Sequence, residues 1–86
     1  MPRIAEFYGI AIYMYYGDHA PPHFHAIYGR SDLEVEISTG RILKGKLPRR
    51  AERFVRSWYR RHQRELARNW HLARAGRRLR SIPPLE

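Results

Sequence analysis

His23-Phe24-His25-Ala26-Ile27-Tyr28-Gly29-Arg30-Ser31-Asp32-Leu33-Glu34-Val35-Glu36-Ile37 reads as two strands around a turn. In the second strand Leu33, Val35 and Ile37 alternate with Asp32, Glu34 and Glu36, the period of two that sends one face into a core and leaves the other acidic. In the first, His23, His25 and Ile27 share one face while Phe24, Ala26 and Tyr28 share the other. Gly29-Arg30-Ser31 supplies the turn. On the N-terminal side, Gly9 to Tyr16 is β-branched and aromatic, with Ile10, Ile12 and Met14 on one face and Ala11, Tyr13 and Tyr15 on the other. Residues 4–8 either extend this strand or form an earlier short one, and Gly9 invites a bulge or break. On the C-terminal side, Thr39-Gly40 closes a hairpin into Arg41 to Lys46, an edge strand whose two lysines discourage pairing with other chains.

After Lys46 the period changes. Pro48 suits the first helical position, where a missing N–H costs nothing. Steps of about 100° per residue place Phe54, Val55, Trp58, His62, Leu66, Asn69, Leu72 and Ala73 on one side. Arg49, Arg53, Arg56, Arg60, Arg64 and Arg74 fall on the other. The pattern runs to about Ala75 and Gly76 is a natural left-handed cap, so one helix is expected rather than two, with His62 the point where a break would fall. The tail, residues 77–86, is expected to dock loosely. The predicted fold is α+β: one domain over residues 1–86, with an antiparallel meander of three to four strands (about 9–46) packed against one long C-terminal helix (about 48–75).

The 86 residues carry Lys+Arg 17 against Asp+Glu 8, a formal charge of +9. From Pro48 onward twelve arginines face three acids, whereas the segment before it is balanced, five against five. That asymmetry points to an anionic partner, either nucleic acid (RNA above all) or a small acidic protein, met through Arg49, Arg53, Arg56, Arg60 and Arg64. No run approaches the roughly 18 apolar residues of a membrane span, and Met1-Pro2-Arg3 lacks a signal-peptide layout, so a cytoplasmic protein without membrane contact is expected. A dimer stays open. With no cysteine, disulfides, thiolate metal sites and a cysteine nucleophile are excluded.

Gly17-Asp18-His19-Ala20-Pro21-Pro22-His23-Phe24-His25 gathers three of the five histidines, a carboxylate and a diproline into one loop. His23 and His25 project to the same strand face, about 6.5 to 7 Å apart along the backbone. With His19 reaching across the loop, the three could hold a divalent metal and leave a coordination position open. Without a metal, His19, His23 and His25 could act as general base and acid in RNA cleavage, because imidazoles titrate near neutrality. Packing among tyrosines is the plain alternative. Asp18 could orient an imidazole or simply make a turn. Tyr13, Tyr15, Tyr16 and Phe24 could stack bases, although most of them are needed for the core. His62 and Asn69 lie on the apolar helical face, either as satisfied core groups or as neighbours of the histidine strand.

The chain resembles, end to end, a widespread bacterial family of small proteins known as domain of unknown function four-one-six-zero. The resemblance rests on Met-Pro-Arg-Ile-Ala-Glu-Phe-Tyr-Gly-Ile at the start and on Tyr13-Met14-Tyr15 leading into Gly17-Asp18-His19. It rests also on Pro21-Pro22-His23-Phe24-His25-Ala26 and Gly45-Lys46-Leu47-Pro48-Arg49-Arg50. Typical relatives look richer in Glu along the helix. The resemblance implies one half of a two-gene, toxin–antitoxin-like module, and it carries no established activity. Locally, Gly17-Asp18-His19 with His-Phe-His also looks like the Gly-Ser-His stretch of Hic-type small RNase toxins, with Asp18 in place of serine. Two functional expectations follow: a nucleic-acid-binding module component that, if an enzyme, is a histidine-dependent ribonuclease, or a non-enzymatic or histidine-metal module that docks an acidic partner through its basic helix.

Overall fold

Alternating burial builds the sheet. In the computed structural model, which describes residues 2–86, the chain forms β1 (Arg3–Phe7), β2 (Ile10–Tyr13), β3 (His23–Tyr28), β4 (Ser31–Glu36), β5 (Ile42–Gly45) and α1 (Arg49–Arg74). The five strands pair antiparallel in chain order. The fold is therefore α+β as expected, with one strand more than the three to four read from the sequence. The extra strand exists because Tyr8 and Gly9 both take positive φ, 51° and 79°, and turn the chain between the paired residues Phe7 and Ile10. A two-residue turn left-handed at both positions matches the natural twist of a hairpin. Gly9 thus makes a turn where a bulge was one expectation.

One sheet face forms the core. Ile10, Ile12, Met14, Phe24, Ala26, Leu33, Val35 and Ile37 are buried, together with Val55, Trp58 and Leu66 of α1. Each of the larger side chains removed from water contributes roughly 1.5–3 kcal/mol before conformational entropy is subtracted. Trp58 is fully enclosed between Phe7 and Phe24, with ring centroids at 5.4 and 5.8 Å. The opposite face carries the alternate residues, including His25 and Glu34, which stand directly across from each other in β3 and β4.

Pro48 is the N-cap and Arg49 the first helical residue, one position later than the sequence pattern implied. His62 has non-helical φ/ψ (−126°, 21°) and kinks α1 where the sequence placed any break. On either side of the kink, Tyr59 and Gln63 both donate to the carbonyl of Ile37, which fixes α1 on the β4–β5 turn. At the C-terminal end Gly76 (φ 69°) donates to Ala73 O and Arg77 to Leu72 O, the paired bonds of a left-handed helix stop.

The tail is held firmly, contrary to the loose docking expected. Asn69, 1% exposed, donates to Arg80 O and accepts from Arg80 N; Ile82 is buried and its N–H meets Ile4 O; the Trp58 indole N–H donates to Pro83 O. The polar groups that a helix face of pure hydrocarbon would lack are what anchor it. His62 and Asn69 thus serve the fold, His62 pairing with Glu65 and stacking on Trp58, and neither reaches the histidine strand. No helix among the described residues is long and apolar enough to cross a membrane.

Candidate metal centre

The meander sends its turns to two ends of the sheet. The β2–β3 loop, residues 14–22, lies at the end where the second half of α1 passes, and it includes the Ala20–Pro21 peptide in the cis form. Ile37 N–H donates to Pro22 O, tying the diproline to the end of β4. From this edge three side chains converge. Asp18 Oδ2 lies 2.9 Å from His25 Nε2 and 3.4 Å from His23 Nε2. One ligand atom from each of Asp18, His23 and His25 lies within 4.8 Å of the others.

The carboxylate takes the place expected of His19. His19 is exposed and outside the converging group, so the three-histidine arrangement does not form. The reason is local: Asp18 is drawn inward, its N–H bonded to Tyr15 O and its carbonyl receiving the Arg74 guanidinium at 3.2 Å, while the next residue, His19, is left exposed.

Each member is buttressed. His23 is 7% exposed, packs on Trp70 at 5.5 Å and has Nδ1 at 2.8 Å from Pro21 O. A carbonyl only accepts, so Nδ1 carries a hydrogen and Nε2 is the ring atom left to meet the carboxylates. That nitrogen faces Asp18 Oδ2 at 3.4 Å and Glu34 Oε1 at 3.8 Å. His25 packs against the Tyr15 ring at 4.7 Å, and its Nδ1 lies 3.9 Å from Glu34 Oε2. Burial first, then the charges of Tyr13, Asp18 and Asp32, raises the Tyr15 phenol above its ordinary pKa and keeps this wall neutral.

Glu34, Trp70 and Arg74 were not read as parts of the site. Glu34 was findable: the tight turn sets Tyr28 opposite Ser31, and counting back along both strands sets His25 opposite Glu34. Trp70 and Arg74 depend on the path of α1 beyond its kink, which periodicity does not give. Of the base-stacking candidates, Phe24 is wholly buried and Tyr16 donates its hydroxyl to Arg77 O. Arg49, Arg53, Arg56, Arg60 and Arg64 are all exposed. Arg56 pairs with Glu52, and the other four have no carboxylate within 4.0 Å among the described residues.

Fold and site together define a small α+β domain with a histidine–carboxylate group on the rim of an antiparallel meander. The chain belongs to the family described as Domain of unknown function (DUF4160), whose model matches residues 9–71 and so spans all three converging side chains. Neither the curated proteins nor the solved structures contain a match to it.

Proposed function

We propose that this protein is a divalent-metal-binding module in which Asp18 Oδ2, His23 Nε2 and His25 Nε2 share one ion of the zinc or iron(II) class. One observation carries the reading. A buried imidazole whose Nδ1–H is taken by Pro21 O aims its Nε2 at two carboxylate oxygens, at 3.4 and 3.8 Å, and a cation shared by the three groups, a metal ion in this reading rather than a proton on the ring, would stabilise that approach. Two imidazoles and one carboxylate, converging from one side, suit first-row divalent metals and leave further coordination positions open. The present separations of 2.9 and 3.4 Å bracket the roughly 3.3 Å between neighbouring ligands of a tetrahedral ion with bonds of about 2.0–2.1 Å. Outer partners also stand ready. Pro21 O holds His23 Nδ1–H, and Glu34 faces His25 Nδ1, the positions from which carbonyls and carboxylates orient metal-bound histidines.

The same geometry weighs against histidine-dependent RNA cleavage. The His23 and His25 rings are 5.0 Å apart and both face carboxylates, so an entering phosphate would meet Asp18 and Glu34 where it needs a positive partner. Titration with zinc, and with cobalt(II) as a coloured probe, tests the reading. The expected result is saturation at one ion per chain. Zinc at about 100 times its dissociation constant should raise the unfolding free energy by about 2.7 kcal/mol. Asp18→Ala and His25→Ala should abolish binding, while His19→Ala keeps it. Absence of saturable binding by either metal, or a loss with His19→Ala equal to that with His25→Ala, would refute the proposal.

A further inference from the structure

The opposite end of the sheet holds a second feature that the metal site does not use. Tyr8, Tyr28, Phe54, Pro48, Ala51 and Arg50 line an open cleft of ≈ 450 Å³ between two hairpin turns and the start of α1. That size lies within the roughly 300–1,000 Å³ range of small-ligand sites. Tyr8 is 56% exposed and Tyr28 39%, and neither hydroxyl has a hydrogen-bond partner among the described residues. The Tyr8 and Phe54 rings lie 4.8 Å apart at 33°, and the Arg50 guanidinium sits 5.7 Å from the Phe54 centroid. No acidic residue lines the cleft.

Tyr8 is also costly where it stands. Its φ of 51° is left-handed, a conformation that Asn or Gly adopts readily and a bulky residue does not. An Asn-Gly pair would make the same turn with less strain. Beside it, Gly9 takes the second left-handed position, with a φ of 79°, and the Tyr28 ring lies within van der Waals reach of it. The turn therefore presents one aromatic ring in place of a better turn residue, next to a second.

Charge gathers at the same end. Arg49, Arg50 and Arg53 occupy the first turns of α1, where the helix dipole is already positive and basic residues are unfavourable. Exposed π-faces beside a concentration of arginine match a ligand that has flat rings and a negative backbone. We infer that this cleft binds single-stranded nucleic acid, with a base stacked on Tyr8 and Tyr28 and the neighbouring phosphates on Arg50 and the adjoining arginines. An acidic peptide would use the arginines and leave both tyrosines idle, which makes the rings the discriminating feature.

The test is fluorescence titration of the full chain with labelled eight-residue oligonucleotides, one of uridine and one of thymidine, in chelator so that the metal site plays no part. Both should bind, and affinity should fall steeply as salt rises, since phosphate contacts release counterions. Tyr8→Asn should weaken binding about 10-fold, from the loss of one stacking platform. Its thermal midpoint should stay within a few degrees of the parent, because relief of the turn offsets the lost contact with Phe54. Tyr28→Ser, at an exposed strand end, is the second variant and should weaken binding similarly. If neither oligonucleotide binds at low salt, or both variants bind as the parent does, the inference fails. Displacement of the oligonucleotide by polyglutamate of matched charge, at equal concentration, would also overturn it and assign the surface to an acidic protein, such as the partner expected of a two-gene module.

Discussion

The two ends of the sheet handle polarity in opposite ways. At the histidine end polar groups are buried and mostly answered: His23 Nδ1 by Pro21, Asp18 by His25 and Arg74, Asn69 by both backbone groups of Arg80, with His23 Nε2 left facing the carboxylates. No buried side-chain nitrogen or oxygen among the described residues lacks a hydrogen-bond partner. At the tyrosine end apolar rings are exposed, hydroxyls go unpaired, and the backbone at Tyr8 is held left-handed. The helix repeats the contrast. Its last turn has Arg74 and His71, which the negative end of the dipole favours, while its first turns carry arginines that the positive end disfavours. The histidine end is built into the stability of the fold, whereas the tyrosine end is carried by it. Substitutions should therefore move stability at the first and spare it at the second.

The largest separation should come from Asn69. Asn69→Ala removes two part-buried hydrogen bonds that hold the backbone of Arg80, so about 1–3 kcal/mol should be lost, read as a fall in the urea midpoint. Tyr28→Ser at the other end should cost under about 1 kcal/mol because its side chain is part-exposed and its hydroxyl is unpaired among the described residues. Equal losses from the two variants would show that the contrast is false.

A smaller difference lies between hydroxyls. Tyr59 donates to Ile37 O at 2.6 Å, whereas Tyr28 donates to no described residue, so Tyr59→Phe should cost about 1 kcal/mol and Tyr28→Phe almost nothing. Burial, with the charge of Glu36 adding to it, raises the Tyr59 phenol above its ordinary value of 10.0, and the sign of the pH effect follows. Below the unfolded value both states keep the proton and the contribution is complete. Above it the unfolded chain ionises first, so stability falls with rising pH until the folded phenol ionises as well. Tyr15 acts in the same direction. Urea midpoints at about pH 8 and pH 11 should therefore converge in Tyr59→Phe, though not fully.

These contrasts also separate what the residues reveal from what they conceal. Strands and helix are legible because alternation from Leu33 to Ile37 and helical spacing from Val55 to Ala73 are properties of neighbouring residues. The first strand is legible only as one of two readings of residues 4–8, because a tyrosine in a left-handed turn defies the usual preference for Asn or Gly there. His23 and His25 share a face by period alone, and the histidine end was recognisable from them. Which of Asp18 and His19 completes the group depends on how the loop is drawn toward Arg74, some 56 residues away, and no local pattern records that. The tail is a similar case: one of its anchors is the buried amide of Asn69, which sequence reading places on the apolar face without showing its partner.

The smallest effect tests the helix start. Arg49 is exposed, has no carboxylate within 4.0 Å among the described residues, and lies four residues from Arg53. The dipole costs such a cation about 0.3–1 kcal/mol and a like-charged neighbour at that spacing costs a few tenths more. Arg49→Gln should therefore raise stability, by about 0.5 kcal/mol in dilute buffer. The gain should vanish near 1 M salt, where the screening length shrinks to about 3 Å. A gain of this size that disappears with salt marks an arginine retained against the fold's own preference, as an anion-binding surface requires. A loss instead would mean that Arg49 supports the fold locally, and the tyrosine end would then owe its positive charge to stability.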